Sequence, residues 1–518
     1  MKRRQVLALG GAALASLAGC GGKGKSTIKV GFGSAIMNKT FNDRYPFHDD
    51  LEANVLYITD GIVKFALVSL DFGQIPYRMG LVIRRSVALS TWVPMENMII
   101  HCTHNHSGPM SDDLHGLDVT TISDTISKAV TIAQYAVRPA EMAFAAVKVG
   151  NRFSINRRMR IDDDLGTLTF WYGYNYLDDG RVDARPLLTE LLTRWYGRLP
   201  EKYRSTEPLI NDGPVDELLQ ALAFRDEKTK KILGSIVRFA AHVQLAQCAS
   251  KWQYSSDTPG QVRKRLKEAL GGKALFINGP CGDLAAKEFM KFKPDKGKFN
   301  WAASPLGPSG EWSCVDDAVV WDTVQREGRA MADKALEALK PAAYVPLTGF
   351  KTTSVKELMP LREDMPQSAV NYDFESAKKK ALDAFKRAVA SKAPASGIKA
   401  LADACNRAHW MKNILKWYEV SEDDLRNRTT PYELQAFSLN DIFFAGLPGE
   451  SVKATSDALR TAVRGDKLIT MTECNSDLGY IASSDMFPEG AFEVTCGIQD
   501  PSGEEKLRKA AVGILNKV

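Results

Sequence analysis

No two cysteines in this chain are spaced Cys-x-x-Cys, which removes a cysteine-rich zinc module from consideration. Long basic runs are also missing. Lys and Arg number 68 against 62 acids, and a net charge of +6 gives no argument for a nucleic-acid partner. After the first twenty residues, no segment reaches the ~18 uncharged apolar residues that a membrane-spanning helix needs. Internal repeats are absent, low-complexity sequence is confined to a short stretch near the amino terminus, and nothing reads as a linker between domains. What is present is an ordinary globular composition, 44% hydrophobic and 25% charged. Length alone would suggest about three domains at ~150 residues each. The unbroken pattern described below argues instead for one large unit.

The amino terminus stands apart. "MKRRQVLALGGAALASLAGC" has a charged start at Lys2, Arg3 and Arg4, a short apolar stretch, then small residues. That order reads as an export signal. The Arg3-Arg4 pair resembles a twin-arginine signal, and "LAGC" resembles a bacterial lipobox with Cys20 as the lipidated residue. The expected organisation is a signal peptide over 1–19, a flexible tether over 20–26 and one folded domain over 27–518. The expected location is outside the cytoplasm, periplasmic or held to a membrane by a lipid on Cys20 rather than by a spanning helix. Seven cysteines follow: Cys102, Cys248, Cys281, Cys314, Cys405, Cys474 and Cys496. An exported chain can form disulfides, but an odd number leaves at least one thiol over.

From Thr27 onward, strand and helix patterns alternate. "TIKVGFGSAI" and "VLYITDGIVKFALVSLDFG" read as strands, with Asp60-Gly61 as a hairpin turn. "GLVIRRSVALSTW" reads as a helix, and so does "ISDTISKAVTIAQYAV", with Ser123 or Asp124 near its cap. "NMIIHCTHNH" is a short buried strand running into a loop, and "AEMAFAAVKVG" is a further strand. The span 161–214 reads as loop that could wall a pocket. Farther on, "RFAAH" ends a strand at His242, and "SSDTPG" starts a helix with Asp257 or Thr258 as its N-cap and Pro259 in its first turn. "ALFINGPCGD" delivers a Gly-rich turn, 373–419 gives two helices, and "FFAGLPGES" ends a strand pair. A helix closes the chain. This alternation predicts an α/β fold: one large mixed-sheet domain with helices packed on the sheets and helical additions.

Histidine is scarce, seven in 518 residues, yet His101, His104 and His106 crowd into "HCTHNHSGP". On an extended segment, residues i and i+2 project to one face, so His104 and His106 can look into one cleft. Two imidazoles there suit zinc, or one ligand and one acid/base group. Histidines bonded only to backbone are the alternative. Other ligands must come from elsewhere. His242 ends an apolar strand, and Glu450 follows a glycine turn at a strand end. A mid-helix His409 reads as structural. His101 reads as neither ligand nor catalyst, although it can brace the loop.

The order "THNHSGP", "FAAH", "SSDTPG", "NGPCGD", "LPGE", "DLGYIAS" resembles the catalytic domain of the neutral ceramidases, exported zinc amidases that cleave the N-acyl bond of ceramide. "SINRR" over 154–158 resembles that family's Asn-Arg-Ser segment. The resemblance spans nearly all of 27–518. It implies one zinc ion per chain held by His104, His242, Glu450 and Tyr480, with His106 as the acid/base or supporting histidine. It implies Arg157 as a pocket cation that steadies a carbonyl or the developing oxyanion. A metal-activated water would attack an amide, and His106 would pass a proton to the leaving amine. Two departures stand out. Ala285 occupies the position of a family serine implicated in catalysis, which closes a serine-nucleophile route there. The family's C-terminal β-sandwich has no counterpart in this sequence. The expected partner is an N-acyl compound, ceramide-like or otherwise, with no nucleic acid. The alternatives are a zinc hydrolase of a small polar amide or ester, and a non-catalytic binding lipoprotein.

Overall fold

The first alternating apolar run forms the strand Lys29–Ile36. The computed structural model describes residues 25–40, 45–110, 117–170, 175–178, 180–249, 252–292 and 316–518. The expected signal peptide, Cys20 and most of the tether therefore lie outside the described residues, as do His115 and Cys314. Asp60-Gly61 joins Glu52–Thr59 to Lys64–Leu70 as an antiparallel hairpin, with the Asp60 carboxylate accepting from the N–H groups of Ile62 and Val63.

A nine-stranded mixed sheet forms the frame. Its order is Lys273–Asn278, Ile232–Phe239, Leu218–Asp226, Arg138–Lys148, Lys29–Ile36, Glu52–Thr59, Lys64–Leu70 and Met98–Cys102, with Val345–Pro346 added beside Arg138–Lys148. The two outer pairs are parallel and the inner ones antiparallel. Arg138–Lys148 meets Lys29–Ile36 only through Lys29–Pro139 and Val30–Arg138. The sheet folds over at this corner, and its halves face each other. Gly234 lies against the Phe32 ring, and Ser69 Oγ donates to Phe276 O at 2.7 Å. Both halves run away from the corner. The carboxyl ends of Lys64–Leu70, Met98–Cys102, Ile232–Phe239 and Lys273–Asn278 therefore converge at the far end, where loops can carry chemistry.

A second sheet of four strands, Phe350–Pro360, Thr429–Leu439, Ile442–Gly446 and Leu468–Met471, packs on the first. Phe437 lies 4.6 Å from Phe65 and 4.1 Å from Phe444, centroid to centroid, within one apolar cluster. Helices Tyr77–Thr91 and Val119–Tyr135 pack beside each other on the first half-sheet. Two glycines set how closely the second helix approaches. A Cβ on Gly31 would lie 1.9 Å from Ala133 O, and one on Gly33 2.0 Å from Ala129 O. "VGFG" in the first strand is the imprint of that helix.

Three local expectations need correction. The helix expected to cap at Ser123 or Asp124 begins at Val119, capped by Asp118, whose carboxylate accepts from Thr120 N. The helix of "SSDTPG" starts at Asp257, but Ser256 stands at the cap position and the Asp257 side chain instead accepts from Ala246 N. The span 161–214 is not merely loop. It holds the strand Gly166–Thr169 and the helix Arg185–Tyr196, which buries Leu187, Leu188, Leu191, Leu192 and Trp195 in a core. The period was legible in "RPLLTELLTRWY" but was outweighed by the polar residues around it.

Replacing Gly33 by Ala should lower the denaturant midpoint by about 1–3 kcal/mol of stability, because the new methyl meets helix backbone that cannot yield. Gly397→Ala, a helical position with nothing within 4 Å of the added methyl, should leave the midpoint unchanged or raise it. Equal midpoints for the two variants would contradict this packing.

Candidate metal centre

Asn278, the last residue of its strand, ties together the segments that carry the site. Its amide nitrogen donates to Thr103 O at 3.0 Å and to Ala241 O at 2.9 Å. Its backbone N–H donates to His101 Nε2 at 3.0 Å, and its carbonyl accepts from Thr472 N at 3.0 Å. The histidine loop is also sewn to the His242 segment, with His106 N donating to Val243 O at 2.9 Å. The loop is not extended as the i, i+2 reading assumed. His104 adopts φ +59, a left-handed conformation uncommon outside glycine. The turn still brings the two rings together, with His104 Nε2 and His106 Nε2 3.3 Å apart.

His104 Nδ1 donates to Gly73 O at 3.2 Å, and His242 Nδ1 donates to Cys281 O and Leu284 O, both at 2.8 Å. With Nδ1 protonated in each ring, both Nε2 atoms are acceptors, and that of His242 also faces Arg157 Nη1. They face a third. Glu450 Oε2 lies 3.3 Å from His104 Nε2 and 3.1 Å from His242 Nε2, is buried, and has no hydrogen-bond donor. Three acceptors turned toward one another repel unless a cation lies among them. Two imidazole nitrogens and a carboxylate oxygen form a donor set that suits a metal ion. His106 offers a further nitrogen: its ligand atom and those of His104 and His242 lie within 4.8 Å of one another.

Glu450 is brought here by register. The short strand Glu450–Ser451 pairs parallel with Tyr480–Ile481, setting Glu450 opposite Tyr480. Gly449 and Gly479 precede them with φ of +58 and +67, and a Cβ on Gly449 would lie 2.6 Å from Gly479 O. The contact given to the Tyr480 hydroxyl is Arg157, whose Nη2 donates to it at 3.0 Å. Arg157 also donates through Nη2 to Gly282 O at 2.8 Å, and its Nη1 lies 3.2 Å from His242 Nε2. The sequence reading thus brings His104, His106, His242, Glu450, Arg157 and Tyr480 into one buried cluster, with Tyr480 joined to it through Arg157.

Sequence reasoning missed the residue that aims Arg157. Glu493 is fully buried and accepts from Arg157 Nε at 2.9 Å, Arg158 Nη1 at 3.0 Å and Thr169 Oγ1 at 2.7 Å. Its only signal was an acid inside the apolar run "GAFEVTC". Glu473 and Asp477 were missed too. Both are buried; burial, with repulsion from Glu450 and, for Glu473, from Asp477, pushes their carboxyls well above the usual range. Cys281 is buried with its thiol pushed up by burial, as expected of a small core residue. Ala285 is fully buried in the strand Leu284–Ala286, within an apolar cluster. Cys102, Cys405, Cys474 and Cys496 are likewise buried free thiols. His409 is half-buried on its helix, edge-on to Trp410, and His48 stacks on Trp321 at 3.6 Å.

Electrostatics suit a neutral, electron-donating site. Burial holds His242 at about 4, aided by the charge of Arg157. Burial, then His104 and His242, pushes His106 well below its usual range. Burial raises the Tyr480 phenol against the pull of Arg157.

His101 provides a test apart from the metal. Its Nδ1 donates to Thr472 O at 2.7 Å and its Nε2 accepts the Asn278 N–H, so the fold requires the neutral ring. Burial lowers it to about 4 from the ordinary 6.5. The folded value is depressed, so this stabilisation is fully present above about pH 6.5 and is lost as pH falls toward about 4. The loss should reach about 2–3 kcal/mol. Denaturant midpoints between pH 4 and 7 should show it, and His101→Gln should flatten it. An unchanged slope in that variant would contradict the assignment.

No family model and no curated protein sequence matches this chain. Solved structures do. The neutral ceramidase of Pseudomonas aeruginosa aligns with a TM-score of 0.58 at 14% identity, over 95% of this chain and 74% of that one. A ceramidase complexed with C2 aligns with a TM-score of 0.59 at 14% identity, over 95% and 75%. At that identity the likeness speaks for architecture: the chain has the mixed α/β fold of the neutral ceramidase structures.

Proposed function

We propose that this chain is a zinc-dependent hydrolase that cleaves the amide bond of an N-acyl substrate with water, exported and tethered outside the cytoplasm through a lipid on Cys20. The observation that carries this reading is the convergence of His104 Nε2, His242 Nε2 and a buried Glu450 Oε2 that has no hydrogen-bond donor. The ceramidase fold supports it, and the nitrogen and oxygen donors suit zinc. His104, His242 and Glu450 would hold the ion, with Tyr480 completing the set.

A bound zinc supplies polarisation of the amide carbonyl and acidification of a water. The residues of the chain do the rest. Arg157 remains cationic, since Tyr480, Glu493 and Glu450 outweigh its burial. Its guanidinium, fixed by Glu493, can meet the charge that develops on the carbonyl oxygen. His106 is the least buried of the three clustered histidines, and it is neutral near pH 7. It can therefore accept a proton from the attacking water and return it to the leaving amine. Ala285 has no oxygen, so this route uses water and not a side-chain hydroxyl.

The test is amine release from a series of N-acyl compounds of increasing chain length. Activity should vanish with a chelator and return with zinc. Arg157→Lys should cost about 10²–10³ in kcat, and His106→Asn about 10²–10⁴, with both variants retaining metal. Zinc-independent turnover, or full activity in Arg157→Lys, would overturn the mechanism.

A further inference from the structure

Ile62, Tyr135, Trp92 and Leu89 are 90%, 84%, 77% and 75% exposed; among the described residues only Val370, at 81%, is a large apolar side chain of comparable exposure. The four are not scattered. Ile62 sits at the tip of the hairpin between Glu52–Thr59 and Lys64–Leu70. Thr59 pairs with Lys29 and Arg138 with Val30, so this tip and the Tyr135–Arg138 connection share the folded corner of the sheet. Gln134 Nε2 donates to Thr91 O at 2.8 Å, and Ser90 Oγ lies 2.7 Å from Ser127 Oγ. Those bonds set Leu89 and Trp92 beside the end of the helix that carries Tyr135.

The chain enters the fold at the same corner. Ser26 Oγ donates to Leu347 O at 2.8 Å, and Leu347 N donates to Ala140 O at 3.0 Å. The preceding sequence carries the apolar stretch and Cys20. Exposed Lys29, Lys64, Arg85 and Arg138 surround the corner, against exposed Asp60 and Glu96. Isolated apolar residues on a surface mean little, but a group of them rimmed by cations marks a contact. Trp and Tyr suit the headgroup boundary, and Lys and Arg suit anionic lipid.

We propose that this corner is a membrane-docking face, with Ile62, Leu89 and Trp92 entering the headgroup–acyl boundary of an anionic bilayer. This rests on the reading of Cys20 as a lipid anchor and is independent of hydrolysis. The consequence reaches the metal centre. It lies at the opposite ends of the strands, and the seven-residue strand Lys64–Leu70 alone puts about 20 Å between them. A docked chain would present its site to the aqueous phase, which favours N-acyl substrates that reach it in solution over lipids seated in the same bilayer.

The experiment attaches an environment-sensitive fluorophore to full-length Ile62→Cys and, separately, to Val370→Cys. Val370 is the control: its N–H donates to Glu422, whose helix meets Arg78 at the end of Tyr77–Thr91 remote from Trp92. Wild-type protein treated identically gives the background. Vesicles of phosphatidylglycerol and phosphatidylethanolamine should shift the residue-62 emission to the blue and raise it severalfold, with quenching by spin-labelled lipid. The residue-370 signal should stay unchanged. No change at 62, or an equal change at 370, would overturn the proposal. A rise at 62 with protein concentration alone would also overturn it, by showing a second copy as the occupant.

Discussion

Asn278 holds the site together. One side chain and one peptide unit reach the histidine loop, the His242 segment and the strand that leads to Glu473. None of these segments is regular secondary structure where the chemistry lies, so their backbone groups need partners from outside. Asn278 supplies them from the end of a buried strand. Because the sheet folds over at Arg138–Pro139, strands from both halves end at the same place, and one asparagine can span them. The left-handed turn at His104 depends on that support.

On this frame the electrostatics follow from burial. Carbonyl oxygens take the Nδ1 protons of His104 and His242, which leaves both Nε2 lone pairs aimed at Glu450. Several buried acids elsewhere in the fold have cationic partners: Asp71 with Arg263, Asp216 with Arg238, and Glu433 with Arg84. Glu450 instead faces two neutral acceptors. The cost of such an arrangement in a dry site is large, and a metal ion removes it. Glu493 has a different task. It pairs with Arg157 and Arg158 together and fixes the Arg157 guanidinium beside Tyr480.

Much of this is legible in the sequence. "THNHSGP" held two of the clustered histidines, "FAAH" the third, and "LPGE" and "LGY" the carboxylate and phenol that pair across one short parallel bridge. The strands were legible because their apolar residues alternate or run, and the Asp60 hairpin because its turn chemistry is local. What could not be read depends on tertiary neighbours. The positive φ of His104, the grip of Glu493 on Arg157 and the isolation of Glu473 and Asp477 have no local signature. The helix Arg185–Tyr196 was masked by its polar flanks, although its leucines recur at helical spacing.

The central claim is that His104, His242 and Glu450 meet because they share one metal ion. It is tested most directly by elemental analysis of the purified protein beside His242→Ala and Glu450→Gln, with folding checked by circular dichroism. The account predicts about one zinc per chain in the wild type and its loss in both folded variants. A wild type that takes up no zinc when it is supplied, or folded variants that bind it as well as the wild type, would contradict it.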